Sequence, residues 1–192
     1  GTIIIAYAFQ LLVFQPGVDM GNPLLAGVRS LSGGGSSIIQ KQNQHVRIVM
    51  DPGGKNIIAT YSNDIESQGG VVFDAGIGRF LNNATDRHNN SHYIGNLAGW
   101  LGQNNSSSKE KNILIYNTFH ETGLDSKEFS NISRVLAADG FTVRVTDRRE
   151  TPEISESLLA DYGQIWVIFG DSGAGRQFSA VELDTITGFV DA

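Results

Sequence analysis

Polar side chains that could bind or act on a ligand follow four short apolar runs of this 192-residue sequence. Each run is typical of a buried strand, and in an open parallel sheet ligands bind beyond the carboxyl ends of the strands. If the runs pair in that way, the polar groups after them converge at one edge of the sheet. They are Asn117, His120 and Glu121 after "NILIY", Asp171, Ser172 and Arg176 after "QIWVIFG", Phe9 and Gln10 after "TIIIAYA", and Asp74 and Arg79 after "GGVVF".

The candidates for a catalytic role are His120, Glu121 and Asp171. His120 and Glu121 are adjacent, so on a helix their side chains would diverge by about 100°, and no HExxH pattern follows them. A metal site would need partners from His88 or His92, and we expect no bound metal. The alternative, which we favour, is that His120 is a loop residue with a structural hydrogen bond.

The candidates for ligand binding are Asn117, Asp74, Arg79, Ser172 and Arg176. The stretch "FGDSGAGR" exposes backbone N–H groups that could hold an anion, but it lacks the Lys-Ser/Thr pair of a phosphate-binding loop. A strand-to-helix turn, with Arg176 paired to Asp171 or Asp74, is the favoured interpretation. No cofactor is expected.

Five Asn-x-Ser/Thr sequons occur, mostly in predicted loops: Asn83, Asn89, Asn104, Asn105 and Asn131. Their clustering, together with the absence of cysteine and the small number of lysines, favours an extracellular or cell-surface protein with glycosylation at these positions.

Composition excludes several classes of function. The net charge is −6 and the pI is about 5.1, without the clustered Lys and Arg that nucleic-acid binding requires. The absence of cysteine removes disulfides, thiolate metal sites and any Cys nucleophile. The run "TIIIAYAFQLLVF" is too short to span a bilayer, which takes about 20 residues of helix. Its β-branched start predicts a fully buried strand.

The second half, residues 112–192, alternates strand and helix. The predicted strands are "NILIYNTF", "FTVRVTD" and "QIWVIFGD". The predicted helices are "DSKEFSNISRVLAADG", with Phe129, Ile132 and Leu136 on its apolar side and Gly140 as C′, "TPEISESLLADY", with Thr151 as N-cap and Pro152 first, and "SAVELDTITGFVDA". This alternation predicts a parallel sheet covered by helices.

The first half, residues 1–101, has a different pattern, and residues 102–111 are a polar linker. Short strands "SSIIQ", "HVRIVM" and "NIIATYS" predict a small antiparallel β portion within residues 36–61. A buried strand "GGVVFDAG" and a helix "NNSHYIGNLAGWL" follow. The helix has apolar positions Tyr93, Ile94, Leu97 and Trp100.

The two ends of the sequence fit together. The apolar spacing of Leu183, Ile186, Phe189 and Val190 predicts a helix, which normally ends on a glycine. Reading residue 192 into residue 1 gives "LDTITGFVDA-GTIIIAYAF", in which Gly1 supplies that glycine. We expect a circular permutant, one period of a tandem array, or a fragment spanning two domains, and we favour a repeated or head-to-tail unit.

In the order 112–192 then 1–101, the sequence resembles the class I glutamine-amidotransferase-like superfamily. The likeness lies in "NILIYNTFHETG", "ADYGQIWVIFGDSGAGRQFSAVELDTITGFVDA" joined to "GTIIIAY", "NPLLAGVRSLSGGGSSI" and "GGVVFDAGIGRFLNN". It is closest to the non-glutaminase branches: trehalose-utilisation-like proteins, GIFT domains and auxiliary domains of gliding-type transporters. The resemblance implies a three-layer, flavodoxin-like α/β sandwich with a mostly parallel sheet.

Glutaminase activity needs a Cys on a strand-to-helix turn, activated by a His that a carboxylate orients. The stretch "AYAFQLL" has neither Cys nor Ser, so amidotransferase activity is excluded. We expect a non-catalytic scaffold or interaction module of an extracellular assembly, self-associating or joining neighbouring domains by strand completion. The alternative is a trehalose-utilisation-like hydrolase or carbohydrate-binding protein.

Overall fold

The computed structural model describes residues 2–6, 22–32, 39, 46–50, 55–61, 70–103, 109–118, 125–169 and 178–191. The strands, in chain order, are β1 (Thr2–Ala6), β2 (Val46–Met50), β3 (Asn56–Tyr61), β4 (Val71–Asp74), β5 (Asn112–Asn117), β6 (Thr142–Asp147) and β7 (Gln164–Ile168). The helices are α1 (Asn90–Gln103), α2 (Ser130–Ala138), α3 (Glu156–Leu159) and α4 (Ala180–Asp191). Short 3-10 helices cover Pro23–Leu25, Ile77–Phe80 and Ser126–Phe129.

The predicted α/β class is confirmed. The strands form one seven-stranded sheet in the order β2-β3-β4-β1-β7-β5-β6. Neighbouring strands from β4 to β6 in that order are parallel. The pairs β2–β3 and β3–β4 are antiparallel, and β2 and β3 lie within the predicted range 36–61.

Strands β5 and β7 are strongly apolar and lie within the sheet, with neighbours on both sides. Every residue of β7 is buried, as are the last five of β5, which is typical of parallel strands covered on both sides. β1 lies between β4 and β7, so the predicted strand at "TIIIA" is confirmed. The remainder of that run, from Tyr7 onward, lies outside the described residues.

Alternate side chains of the same strand pack into two different apolar clusters. Ile113 and Ile115 of β5 belong to the first cluster, and Leu114 and Tyr116 to the second. The first cluster also contains residues of α1 and α2, including Leu97 and Leu136, whereas the second contains Leu159 of α3 and Ile186 of α4. Because neighbouring strand residues point to opposite faces, each helix pair packs with one set of strand side chains.

Several helix predictions are confirmed in detail. Phe129, Ile132 and Leu136 are fully buried, although Phe129 ends a 3-10 turn and the α-helix begins at Ser130. Gly140 follows α2 with φ +84°, the left-handed conformation expected of a C′ glycine. None of the helices in the described part of the chain is long and apolar enough to cross a bilayer.

Two details of the second half differ from the predictions. α3 begins at Glu156 with Ser155 as its N-cap, because the Thr151 hydroxyl is bonded to that of Thr146 instead of capping a helix. In α4, Leu183 is 51% exposed while Glu182 is buried. Glu182 can occupy the interior position because its charge is neutralised by Arg148.

Candidate functional site

The candidate site lies at the carboxyl edge of the parallel strands, where the last residues of these strands are in register. Ala6 at the end of β1 pairs with Asp74 on one side and Ile168 on the other. Ile168 pairs with Asn117, and Asn117 pairs with Asp147. One row of the sheet therefore carries three polar strand ends, on β4, β5 and β6.

After the neighbouring strands β5 and β7, the chain continues to opposite faces of the sheet. β5 is followed by α2, in the first cluster, and β7 by α4, in the second. Such a reversal is the position where open α/β sheets bind ligands. The Thr118 N–H and hydroxyl both donate to the Ile168 carbonyl, each at 2.9 Å, and extend the pairing of the two strands by one residue.

The three polar strand ends share one face of the sheet. Asp74, Asn117 and Asp147 alternate with the residue before them and lie on the side of Val72, Ile115 and Val145, the side of the first cluster. Their exposed fractions are 1%, 0% and 1%. Three spacings of ~4.8 Å separate β4 from β5, so Asp74 and Asn117 lie about 14 Å apart along the row.

Asp74 is bound by a buried cation and a buried phenol. Arg79, on the 3-10 helix that follows β4, donates through Nη1 to Asp74 Oδ1 at 2.8 Å and Oδ2 at 2.9 Å. The Tyr93 hydroxyl, on α1, donates to Oδ2 at 2.7 Å, and the Gly76 N–H donates to Oδ1 at 2.7 Å. All three partner residues belong to one continuous segment, from the end of β4 to the first turns of α1.

Burial dominates the protonation of this cluster. It raises the pKa of Asp74 above its ordinary value, against the opposing effects of Arg79 and of the hydrogen bonds from Tyr93 and Gly76. Burial and the Asp74 charge raise the pKa of Tyr93 well above its ordinary value. The phenol therefore stays protonated at neutral pH and remains a donor to the carboxylate.

Asp147 at the end of β6 is also bonded within the chain. Its Oδ2 accepts from Arg149 Nη2 at 2.7 Å and from the Ser126 hydroxyl at 3.0 Å, while Oδ1 accepts the Arg149 N–H at 2.8 Å. The Arg149 side-chain hydrogen bonds, which outweigh burial, hold the pKa of Asp147 well below its usual range. Asp147 was not among the predicted site residues, and the signal that could have found it is the charged stretch "DRRE" at the end of the predicted strand "FTVRVTD".

A second buried ion pair lies with the other apolar cluster. Arg148 Nη1 donates to Glu182 Oε1 at 3.0 Å, and both side chains are 4% exposed. Arg148 also lies over the rings of Tyr116 and Phe178, at 5.7 and 5.0 Å from their centroids. Glu182 forms a capping box at the start of α4, because it accepts from the Ser179 N–H and its own N–H donates to the Ser179 hydroxyl.

Three predicted site residues lie within the described chain, and the others do not. Asp74 and Arg79 are joined as described above, and Asn117 is fully buried at the end of β5. The predicted residues outside the described ranges are Phe9, Gln10, His120, Glu121, Asp171, Ser172 and Arg176. Tyr93 was predicted only as an apolar position, because its bond to Asp74 is a tertiary contact that helical spacing does not encode.

The described sequons have different environments. Asn83 is exposed in the turn before α1. Asn89 Oδ1 accepts the N–H groups of Arg29 and Ser30, and Asn131 Nδ2 donates to the Asn82 carbonyl at 2.9 Å. Asn104 and Asn105 lie outside the described residues.

The two histidines considered as metal ligands have other neighbours. His88 Nδ1 lies 3.3 Å from the Ser30 hydroxyl, and His92 Nε2 lies 2.9 Å from the Ala26 carbonyl. Within the described ranges, no group of three or more acidic or imidazole side chains could hold a metal ion.

Comparisons with protein-family models, with curated proteins and with solved structures found no match for this chain.

Proposed function

We propose that this chain is a non-catalytic scaffold or interaction module of a larger extracellular or cell-surface assembly. The observation that carries the proposal is the burial and hydrogen bonding of the Asp74 carboxylate at the edge of the sheet. Asp74 is 1% exposed, and both its oxygens accept hydrogen bonds from the protein's own Arg79, Tyr93 and Gly76.

A catalytic carboxylate must approach its substrate within hydrogen-bond distance or through one water. Asp74 cannot do so without losing partners that stabilise the interior. Asp147 has the same limitation, because Ser126 and Arg149 occupy its oxygens. The polar groups of this edge that the structure describes therefore support folding, and the absence of cysteine excludes the superfamily's own nucleophile.

We also propose a specific fold, a three-layer flavodoxin-like sandwich of the class I glutamine-amidotransferase-like kind. Its segments would follow one another in permuted or repeat-offset order. Numbered from β5 through β7 and then β1 and β4, the parallel strands have the spatial order 2-1-3-4-5. That order is the one found in flavodoxin-like folds. The partition of the helices between two apolar clusters supports the layered arrangement.

The proposed mode of assembly is exchange of β1 between neighbouring copies or domains. β1 pairs on both sides, with β4 and with β7, so a copy that received this strand from a neighbour would complete the same sheet. Exchange of an identical element is a low-cost route to self-association. The exposed Asn83 is compatible with a glycan on an extracellular surface.

The proposal is tested by measuring turnover and assembly on the same preparation. We expect no hydrolysis of glutamine or of glycosides such as trehalose, and a sedimentation mass that is a multiple of 20.7 kDa at micromolar protein. Turnover that persists through purification and is lost in His120→Ala would overturn the proposal. A strict monomer at every concentration would remove the self-assembly part of it.

The second candidate is a carbohydrate-binding protein or hydrolase of the trehalose-utilisation-like kind. The position where the connections after β5 and β7 go to opposite faces of the sheet favours it. Asn117 ends one of these strands, and the candidates His120, Glu121, Asp171, Ser172 and Arg176 follow the two in sequence. Calorimetric titration with trehalose tests it. Heat that is absent from His120→Ala and retained in His88→Ala would favour this candidate over the scaffold.

A further inference from the structure

A surface groove runs between α3 and α4, on the side of the molecule away from α1 and α2. Its volume is about 260 Å³. The floor is formed by Leu159 of α3, by Ala160 directly after it, and by Thr185, Gly188 and Phe189 of α4. The groove is thus bounded by two helices and floored mainly by small and apolar side chains.

The groove has space for an inserted side chain. A Cβ placed on Gly188 would meet no other atom within 4 Å, so nothing inside the described protein requires a glycine here. A glycine inside a helix costs about 1 kcal/mol relative to alanine and is suited to the close approach of another backbone. Its position in the floor is therefore consistent with a partner that approaches α4 closely.

An exposed apolar residue continues the groove toward the start of α4. Val181, Thr185 and Gly188 have spacings of four and three and lie on one side of the helix. Val181 is 74% exposed. Apolar surface of the groove therefore extends along α4 by about one more turn, which suits an elongated occupant.

The charged side chains that line this groove are acidic. The exposed carboxylates Glu156 and Asp184 line it, and Glu153, Asp161 and Asp191 are also exposed on or next to α3 and α4. Within the described residues, none of these five carboxylates has an ion pair. The nearby Lys109 ammonium donates to the Ala160 carbonyl. An apolar floor with an acidic rim favours a ligand that combines an apolar side chain with flanking positive charges.

We propose that the α3–α4 groove binds a cationic amphipathic peptide segment of a partner protein, with an apolar side chain over Gly188 and Lys or Arg beside Glu156 and Asp184. Helix-in-groove recognition uses this combination of apolar anchors and complementary charge. The inference rests on the proposed role as an interaction module, because it names the chemistry of the partner.

The test is fluorescence anisotropy with a labelled helical peptide of Leu, Ala and Lys, about 14 residues long. A second peptide in which each Lys is replaced by Glu is the negative probe. At about 0.15 M salt, where only short-range charge contacts persist, we expect saturable binding of the Lys peptide alone. Gly188→Leu, which fills the groove, should abolish binding, whereas Gly99→Leu on α1 should not, because Gly99 also has open space around it.

A charge-matched pair of variants separates local recognition from general attraction. Glu156→Gln/Asp184→Asn should weaken binding about tenfold, whereas Glu128→Gln/Asp139→Asn removes the same charge beside α2 and should have no effect. Equal weakening by both double variants, or binding unaffected by Gly188→Leu, would overturn the inference. A Lys peptide that fails to bind a self-associating, inactive protein would overturn the groove assignment and leave the scaffold function standing.

Discussion

Asp74 and Asp147 end two strands of the same sheet edge, yet their pKa values move in opposite directions. Burial raises that of Asp74, and the Arg149 hydrogen bonds lower that of Asp147. The difference follows from the cations: Arg79 is as buried as Asp74, whereas the Arg149 side chain is 57% exposed and keeps its hydration. When both members of an ion pair are buried, both charges lose their hydration, which costs free energy. Such a pair is sensitive to the loss of either member.

The Asp74 cluster should dominate single-residue stability. We expect Arg79→Met to lower the free energy of unfolding by about 3–5 kcal/mol, because it leaves a buried carboxylate without its cation. Tyr93→Phe should cost roughly 1.5–3 kcal/mol for one lost hydrogen bond to a charged group. Urea unfolding measures both losses.

The matched control is Arg134→Met. The pair of Arg134 with Asp86 has the same 2.8 Å distance, but both side chains are exposed, so its loss should cost at most about 1 kcal/mol. Equal losses for Arg79→Met and Arg134→Met would contradict this account.

The acid sensitivity of the protein should depend on Asp147. Its folded pKa lies below the ordinary value of 3.8, so the unfolded chain takes up the proton first as the pH falls. The stability that Asp147 contributes is therefore present above about pH 4–5 and is lost as the pH falls toward the folded pKa. Asp74, with a raised folded pKa, has the opposite sign, so its contribution falls as the pH rises through that value. We expect Asp147→Asn to reduce the slope of unfolding free energy against pH below about pH 4, by at most ~1.4 kcal/mol per pH unit. An unchanged slope would show that Asp147 titrates alike in both states.

At the scale of elements, sequence patterns correctly predicted the helix features that depend on residues close together in the chain. Phe129, Ile132 and Leu136 were predicted at the apolar side of a helix and are fully buried. Glu182 was missed because its partner, Arg148, is far away in the sequence, and apolar spacing alone put Leu183 inside instead. The start of α3 was misplaced for a similar reason, since the Thr151 hydroxyl bonds to Thr146 on β6. Tertiary partners therefore decided the cases in which the pattern failed.

Glycines in α1 offer a test of helix packing. A Cβ on Gly99 would meet nothing within 4 Å, whereas one on Gly95 would lie 2.7 Å from Asp139 Oδ2. We expect Gly99→Ala to raise the unfolding free energy by about 0.5–1 kcal/mol, because alanine loses less backbone entropy in a helix. Gly95→Ala should gain less, since the Asp139 carboxylate must move. Thermal unfolding of both variants measures the difference. If Gly95→Ala/Asp139→Ala shows the full increase in unfolding free energy, the Asp139 carboxylate is the cause. A larger gain for Gly95→Ala than for Gly99→Ala would contradict the α1–α2 packing.

At the scale of the molecule, the sheet class could be predicted and the site could be predicted only in part. Apolar runs with β-forming residues identified the strands, and the alternation of strand and helix indicated that they are parallel. The same logic predicted that Asp74 and Asn117 would end strands. It could not show that Asp74 is bound by Tyr93, or that Asp147 completes the row, because pairing partners and burial arise only when distant segments meet. The strand order was likewise inaccessible to local patterns, although the fit between the two ends suggested that α4 leads into β1.

The strand order makes a prediction about the connectivity of the whole fold. A reordered chain that begins at Lys109, runs through Ala192 directly into Gly1 and ends at Gln103 should fold to the same structure. α4 contacts β1, β1 pairs in parallel with β7, and the join leaves only Ala192 and Gly1 between α4 and β1, a length usual for such loops. We expect an unfolding free energy within about 2 kcal/mol of the parent chain, together with the same far-ultraviolet circular dichroism and tryptophan fluorescence. A second reordered chain with the same join, but broken in β5 between Ile115 and Tyr116, should not fold, because both sides of that strand are paired. Failure of the first chain alongside a folded parent would show that the permuted or repeat-offset relation is wrong, whereas folding of both would show that the position of the break carries no information.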